Sequence, residues 1–397
     1  MLIIWLGFFI SISVLMILSR KNFWLALMLS AILLGSFSMS PLEIFDEIVT
    51  TLEDYSILLM ALAVGIIPLI GGALEFSGLI DILIRNLRIK QNFLLAFSSA
   101  LMGMLPMPGG ALLSAPVIKK AGGGVPADRQ AAINIWFRHL LLLIYPFGAL
   151  LPTTKMAGIN VYRQIVYLFP GFFLMLFLGY LFLLKDITGG MQTTSTPQPK
   201  KILVPLGIIL IAPLIHITFI TLDPHRLPEF YLVCAVATSF LLSISFGRIS
   251  LHNIKKIILK MKPWKYSLII IGMFLFLNIF KASDTPGVFE TLNVPKIFLL
   301  VVIGFLLGFA TGRVQLPVSI LLPVYLAKYG VSLMTPVSFG IMFFSVYIGY
   351  LISPVHPCVA VSLTYFHTSL KNTVKHMIPP SAIGLLCVFL IALFVIL

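Results

Sequence analysis

Long apolar runs separated by short polar stretches organise this chain. Residues 2–18 and 22–39 are two such runs joined by Arg20 and Lys21, and residues 55–72, 162–184, 202–222, 228–246, 266–281 and 378–397 are others. Each has about the length a helix needs to cross a bilayer. Two runs read differently. In PLEIFDEIVTTLED, Leu42, Phe45, Ile48, Val49 and Leu52 fall at helical spacing with Glu43, Asp46, Glu47, Glu53 and Asp54 between them. That spacing predicts a helix lying in the membrane interface. ISLHNIKKIILKMK predicts its counterpart, and GALEFSGLIDILIRNLRIK an amphipathic connector.

Four apolar stretches are interrupted. In LMGMLPMPGGALLSAP, proline removes a helix donor and glycine relaxes the helical preference, so a helix entering near Phe93 should stop near Leu105 and restart near Gly110. Arms of this length reach only about 20 Å, short of the ~30 Å hydrocarbon core. Residues 92–121 are therefore expected to form a re-entrant hairpin with its tip at Pro106 to Gly110. Irregular backbone at that depth survives only where it is buried in protein or lines a wet cavity. Residues 131–157 predict a span broken at Tyr145 to Pro152. Residues 295–328 predict a second hairpin interrupted at TGRVQLP, and 332–369 a second broken span interrupted at SPVHP.

The same order thus occurs twice, on either side of the polar segment MQTTSTPQPKK. The division expected is a first repeat at 1–184, a linker at 185–201 and a second repeat at 202–397. Tyr55 and Tyr266, Gly78 and Gly287, Gly103 and Gly308, and Pro152 and Pro357 keep near-constant offsets, and an acid (Glu75, Asp284) precedes the connector glycine in both halves. Five spans plus one hairpin per half turn the second copy upside down. The expected fold is an all-α polytopic membrane protein of ten spans and two hairpins in inverted repeats. Basic residues favour both termini outside, since only Lys155, Arg163, Arg226, Lys281, Lys296 and Lys328 then lie in outer segments.

Composition agrees with a membrane protein. The 397 residues are 59% hydrophobic and 10% charged, with a mean hydropathy of +1.08. The net charge of +14 sits in short loops, so topology accounts for it and a nucleic-acid partner is not implied. Cys234, Cys358 and Cys387 all lie in apolar runs without metal-ligand spacing and read as packing residues. The opening run lacks a basic leader and a small-residue cleavage site, and is expected to be the first span.

Interrupted helices aim unpaired N–H groups and carbonyls into a site, so anions and cations can be held with few buried charges. At the first pair of breaks the candidates for solute binding are Pro106, Pro108, Gly109, Gly110, Ser114, Thr153 and Thr154. At the second pair they are Thr311, Gly312, Arg313, Gln315, Ser319, Ser353 and His356. Leu105, Tyr145, Gly148 and Thr311 are candidates to offer cation ligands. Ser353 before Pro354 has the N-cap then N1 order of a restarting helix. Arg313 is the sharpest signal, because a charge at depth is expensive. The competing readings are close packing for the prolines and glycines, back-bonding to its own turn for Ser114, and snorkelling to the surface for Arg313. His356 is open to a structural or a proton-relay role. Arg138 and His139 are expected to anchor their span near the cytoplasm, and Glu75 to end at the inner interface.

On LPMPGGALLSAP, the duplicated hairpin and the broken helix, the chain resembles a family of prokaryotic membrane proteins catalogued as a domain of unknown function. That family is placed in the ion transporter superfamily beside divalent anion/sodium symporters, arsenite permeases and gluconate permeases. The resemblance implies a scaffold and a transport domain, elevator-type alternating access, a homodimer and the cell membrane of a prokaryote. The Ser-Asn-Thr triplets of the dicarboxylate symporters do not occur, so that substrate is not implied. The expected function is secondary transport of a small anionic solute coupled to sodium or protons, with no other cofactor. A passive channel is the first alternative. An intramembrane enzyme is the second, and it finds no HExxH, GxSxG or Asp-rich motif.

Overall fold

A computed structural model describes residues 1–86, 90–104, 111–187, 199–330 and 334–396. Every regular element among them is helical. In the first half these are α1 (Leu2–Ser19), α2 (Phe23–Gly35), α3 (Pro41–Glu53), α4 (Tyr55–Phe76), α5 (Leu79–Arg85), α6 (Gln91–Gly103), α7 (Ala111–Ala121), α8 (Ala127–Leu140), α9 (Leu150–Met156) and α10 (Val161–Gly179). In the second they are α11 (Leu203–Leu222), α12 (Pro228–Phe246), α13 (Leu251–Met261), α14 (Pro263–Ala282), α15 (Thr285–Glu290), α16 (Gly304–Thr311), α17 (Gln315–Lys328), α18 (Pro336–Leu351), α19 (Pro357–Phe366) and α20 (Leu370–Ile396). Seven helical stretches are long and apolar enough to cross a membrane by themselves: α1, α4, Val161–Leu184, Lys200–Leu222, α12, α14 and α20. This is a polytopic helical membrane protein.

Two groups of helices form. In one, α14 packs on α2 and α4, α12 packs on α4, α1 lies on α2 and α11 on α12. Helix α4 is its most enclosed span. Ser11 of α1 donates to the Ser30 carbonyl of α2 at 2.7 Å, which replaces water for a hydroxyl on an apolar helix. In the other group, α8 and α18 are buried almost throughout, flanked by α6, α10, α16, α19 and α20.

The two segments expected at the interface are helical, as α3 and α13. Ser40 and Glu43 close a capping box on α3, Ser40 N–H to Glu43 Oε2 at 2.7 Å and Glu43 N–H to Ser40 Oγ at 3.3 Å, with Pro41 at N1. The Ser40 backbone N–H, then its hydroxyl, hold the Glu43 carboxyl below its ordinary range. The apolar stripe faces outward. Leu42, Phe45 and Leu52 are exposed while Ile44 and Thr51 meet the protein, as suits a helix lying on lipid. Glu75 pairs with half-exposed Lys260 of α13 at 2.8 Å.

Several boundaries differ from expectation. The span predicted at 22–39 stops being helical at Gly35, and only a turn follows. The last helix, predicted from 378, begins at Leu370 and runs through Pro379 and Pro380. Its 27 residues reach about 40 Å, so the first turns, with Lys371, Lys375 and His376, lie beyond the apolar run that marks the span. Pro152 is not in the break but in the first turn of α9, where its missing N–H is no loss. The tip at 105–110 and most of the linker lie outside the described residues.

Asp128, near the start of α8, ties that helix to α20 through Lys375 Nζ at 3.1 Å and His376 Nε2 at 3.2 Å. Partial burial would raise its carboxyl, but the Lys375 and His376 side chains and the Arg129 N–H outweigh that and hold it below the aspartate range. A carboxylate depressed in the folded state contributes stability above its unfolded value and loses it as pH falls through the folded one. Thermal stability in detergent is therefore expected to drop below about pH 4. Asp128→Asn should flatten that step and cost under about 1 kcal/mol at neutral pH, the range of exposed pairs. An acid step unchanged in the variant would assign it to other carboxylates.

Candidate functional site

Both predicted hairpins turn back beside their own starts. Gln91 Nε2 at the head of α6 donates to the carbonyl of Ala121 at 2.5 Å, at the end of α7. In the second, Tyr329 Oη donates to the Val294 carbonyl at 3.0 Å, and Lys296 lies over the Tyr325 and Tyr329 rings. The arms α6 and α7 have 13 and 11 residues, too short to cross a bilayer singly.

The second hairpin meets the second broken helix at a tight junction. Gly308 lets α16 approach α18 so closely that an added Cβ would lie 2.2 Å from the Val346 carbonyl oxygen. Gly312 ends α16 with φ of +58°, in the left-handed region, and its open side abuts the backbone of Val355 and His356. Ser353 Oγ donates to the Phe309 carbonyl at 2.5 Å, satisfying one of the free carbonyls at the end of α16. Ser353 is thus not the N-cap foreseen. His356 holds that position and Pro357 takes N1, where proline's φ suits a helix start. A side chain at Gly312 must pay left-handed strain and displace the His356 backbone. Gly312→Ala is expected to lower stability by about 1–3 kcal/mol, read as a reduced melting temperature; an unchanged value would show that this junction yields freely.

Arg313 follows. Its Nη2 donates to the Ser19 carbonyl at the end of α1 at 3.1 Å, and its guanidinium lies 4.7 Å from the Phe23 ring centroid. It thus reaches the end of α1 and the start of α2. Among the described residues no carboxylate pairs with it. Thr311 Oγ1 returns to its own helix at Leu307, and Ser319 Oγ to the Gln315 carbonyl, with Met156 of α9 alongside. Gln315 is half-buried as the first residue of α17.

Arg138 and His139 are a correction. They do not anchor their span at the surface, since both are only 5% exposed. The His139 ring packs edge-on against Tyr350 and His356, with centroids 5.1 and 4.5 Å away. Unlike a surface anchor, the pair ends α8 where the chain breaks inside the protein.

At the first junction Gly103 serves α6 against α8 as Gly308 serves α16 against α18, its Cβ direction blocked by the Arg138 carbonyl. Leu105, Pro106, Pro108, Gly109 and Gly110 lie outside the described residues. Ser114 Oγ meets Asn134 Oδ1 at 2.6 Å, and Asn134 Nδ2 donates to Ser362 Oγ of α19 at 3.0 Å. All three are buried. Thr153 and Thr154 bond back to α9 carbonyls. Tyr145 Oη reaches the Ile209 carbonyl at 3.5 Å, and the Cβ side of Gly148 faces open space.

Thr154 also lines a cavity of about 300 Å³ with Lys155, Asn160, His216 and Glu229. Lys155 Nζ pairs with Glu229 Oε1 at 2.6 Å and donates to Ser56 Oγ. Glu229 is 5% exposed, and its Oε2 has no hydrogen-bond partner among the described residues. His216 Nδ1 meets Tyr162 Oη at 2.9 Å. This cavity joins α9 and α10 to α4, α11 and α12.

The structure therefore brings Gly312 against Val355 and His356, and Ser353 against the end of α16. It places Ser114 in a separate network and Thr154 at the cavity. Asn134, Ser362, Tyr350, Lys155 and Glu229 were missed. Asn134, a lone amide in AAINIWF, and Glu229, an acid heading an apolar run, were the available signals.

A polytopic helical membrane fold with broken-helix junctions is the class that these elements define. The chain belongs to the family described as "Protein of unknown function (DUF401)", which it matches over residues 4–396. Among solved structures it is similar to the YdaH transporter of Alcanivorax borkumensis, whose crystal structure is described as revealing an unusual topology. The TM-score is 0.59 at 15% identity, covering 93% of this chain and 95% of that one. At that identity the likeness is one of fold. No curated protein matches the chain.

Proposed function

We propose that this protein is a secondary active transporter that carries a small anionic solute, coupled to sodium or protons. The observation that carries the reading is Arg313 at the junction of a turned-back hairpin and a broken helix, with no described carboxylate paired to it. A guanidinium held at such a place suits an anion, and free helix ends supply further donors and carbonyls.

The halves are proposed to be inverted repeats, in a cell membrane of a prokaryote with both termini outside. Packing supports this element by element. α2 on α14 matches α12 on α4, α6 on α8 matches α16 on α18, and α7 on α19 matches α17 on α9. In the same reading α1, α2, α4, α11, α12 and α14 form the scaffold of a homodimer. The hairpins and broken helices move across it as an elevator.

The test is counter-flow in proteoliposomes, with solutes first chosen by thermal shift from a panel of organic and inorganic anions, with sodium present or replaced. Exchange of one anion, with accumulation that follows a sodium or proton gradient, is the expected result. Flux that saturates with no solute and follows no gradient would overturn it in favour of a channel.

A further inference from the structure

Two histidines and a cysteine meet where the chain breaks twice. His139 comes from the end of α8, His356 caps α19 and Cys358 lies in its first turn. One ligand atom from each lies within 4.8 Å of the other two. Small side-chain rotations would close that triangle on an ion.

The rings are already held as metal-binding imidazoles are. His139 Nδ1 donates to the Ile135 carbonyl at 2.6 Å, which leaves the lone pair of the neutral ring on Nε2. His356 Nδ1, in a residue 1% exposed, has no partner among the described residues. A buried ring nitrogen without a partner is uncommon unless something else meets it. Tyr350 packs on His356 at 4.1 Å between centroids and shields the pair.

We propose that His139, His356 and Cys358 form a binding site for a soft monovalent metal ion, copper(I) being the case that fits. Imidazole and thiolate, with no carboxylate in the group among the described residues, do not suit the hard cations, which take oxygen ligands. Charge then chooses among soft ions. Arg138 precedes His139 in the chain, and Arg313 follows Gly312, whose open side abuts the His356 backbone. Copper(I) with one thiolate is neutral, whereas zinc(II) would leave an added positive charge beside two guanidiniums. The thiol proton leaves for solvent when the metal binds. The ion would tie α8 to α19, and so one half of the chain to the other. This proposal does not depend on the transport reading, because binding is measured in detergent without any solute.

The test is anaerobic transfer of copper(I) from its coloured bicinchoninate complex to the purified full-length protein. The parent is expected to take one equivalent, and so is the Cys234→Ser/Cys387→Ser double variant. Cys358→Ser and His139→Gln should each weaken binding by more than the ~10–100-fold that loss of an outer-shell partner costs. Copper(I) should raise the melting temperature of the parent and of neither single variant. No transfer to the parent, equal uptake by Cys358→Ser and His139→Gln, loss of the equivalent in the double variant, or preference for zinc(II) would each overturn the proposal.

Discussion

Arg313→Gln is expected to raise the concentration of anion needed for half-maximal uptake by about 10–100-fold, the worth of one charged hydrogen bond of ~1.5–3 kcal/mol. The variant's amide is a donor but ends two bonds short of Nη2, so the bond to the Ser19 carbonyl is loosened as well. What disappears is the positive charge. Arg313→Lys separates charge from shape: it keeps the charge but not the guanidinium over the Phe23 ring, and should recover part of the affinity. Thermal unfolding of both variants should stay near the parent, while the shift produced by the anion shrinks in Arg313→Gln. Uptake and ligand-induced shift unchanged in both would mean that the solute is held elsewhere and that Arg313 is a packing device.

Lys155→Met is expected to be the most destabilising substitution at the cavity, at about 3 kcal/mol, the low end for breaking a buried pair. Glu229 is nearly buried, and its second oxygen already has no described partner, so removing Lys155 leaves an uncompensated carboxylate. The low end applies because Lys155 keeps 24% of its side chain exposed. Glu229→Gln in the same background should return most of the loss, since the charge that lacked a partner is gone. Because Lys155 belongs to α9 and its partners Ser56 and Glu229 to α4 and α12, the pair also holds two helix groups together. The double variant is therefore expected to fold near parent stability yet transport at a changed rate. A double variant as unstable as Lys155→Met alone would show that packing by the lysine stem, and not charge, was lost.

Most of the architecture was legible in the chain because lipid leaves few choices. Apolar runs of bilayer length become helices, since every backbone group must be satisfied within its own segment. The helix over 41–53 followed from its spacing alone, and the Ser40 and Glu43 box that caps it is local chemistry as well. The equivalence of Gly103 and Gly308 was visible as an offset, and both prove to be places where one helix backbone lies directly on another.

The site was only half legible. Arg313 announced itself as a charge in an apolar stretch, and Ser353 and His356 by their place in a break. What each does depended on partners far away in sequence. Ser353 satisfies Phe309 and does not cap α19, because Pro357 offered a better N1. His139 read as a surface anchor beside Arg138, until the second broken helix placed Tyr350 and His356 against it. Lys155 and Glu229 looked like ordinary flanking charges, until the packing of α9 against α4 and α12 enclosed them. The sequence by itself determined which segments form long apolar helices, because hydropathy and backbone donors are local quantities. Only the tertiary structure decided which polar groups are buried and whom they face, because burial and pairing belong to helices brought together from both halves of the chain.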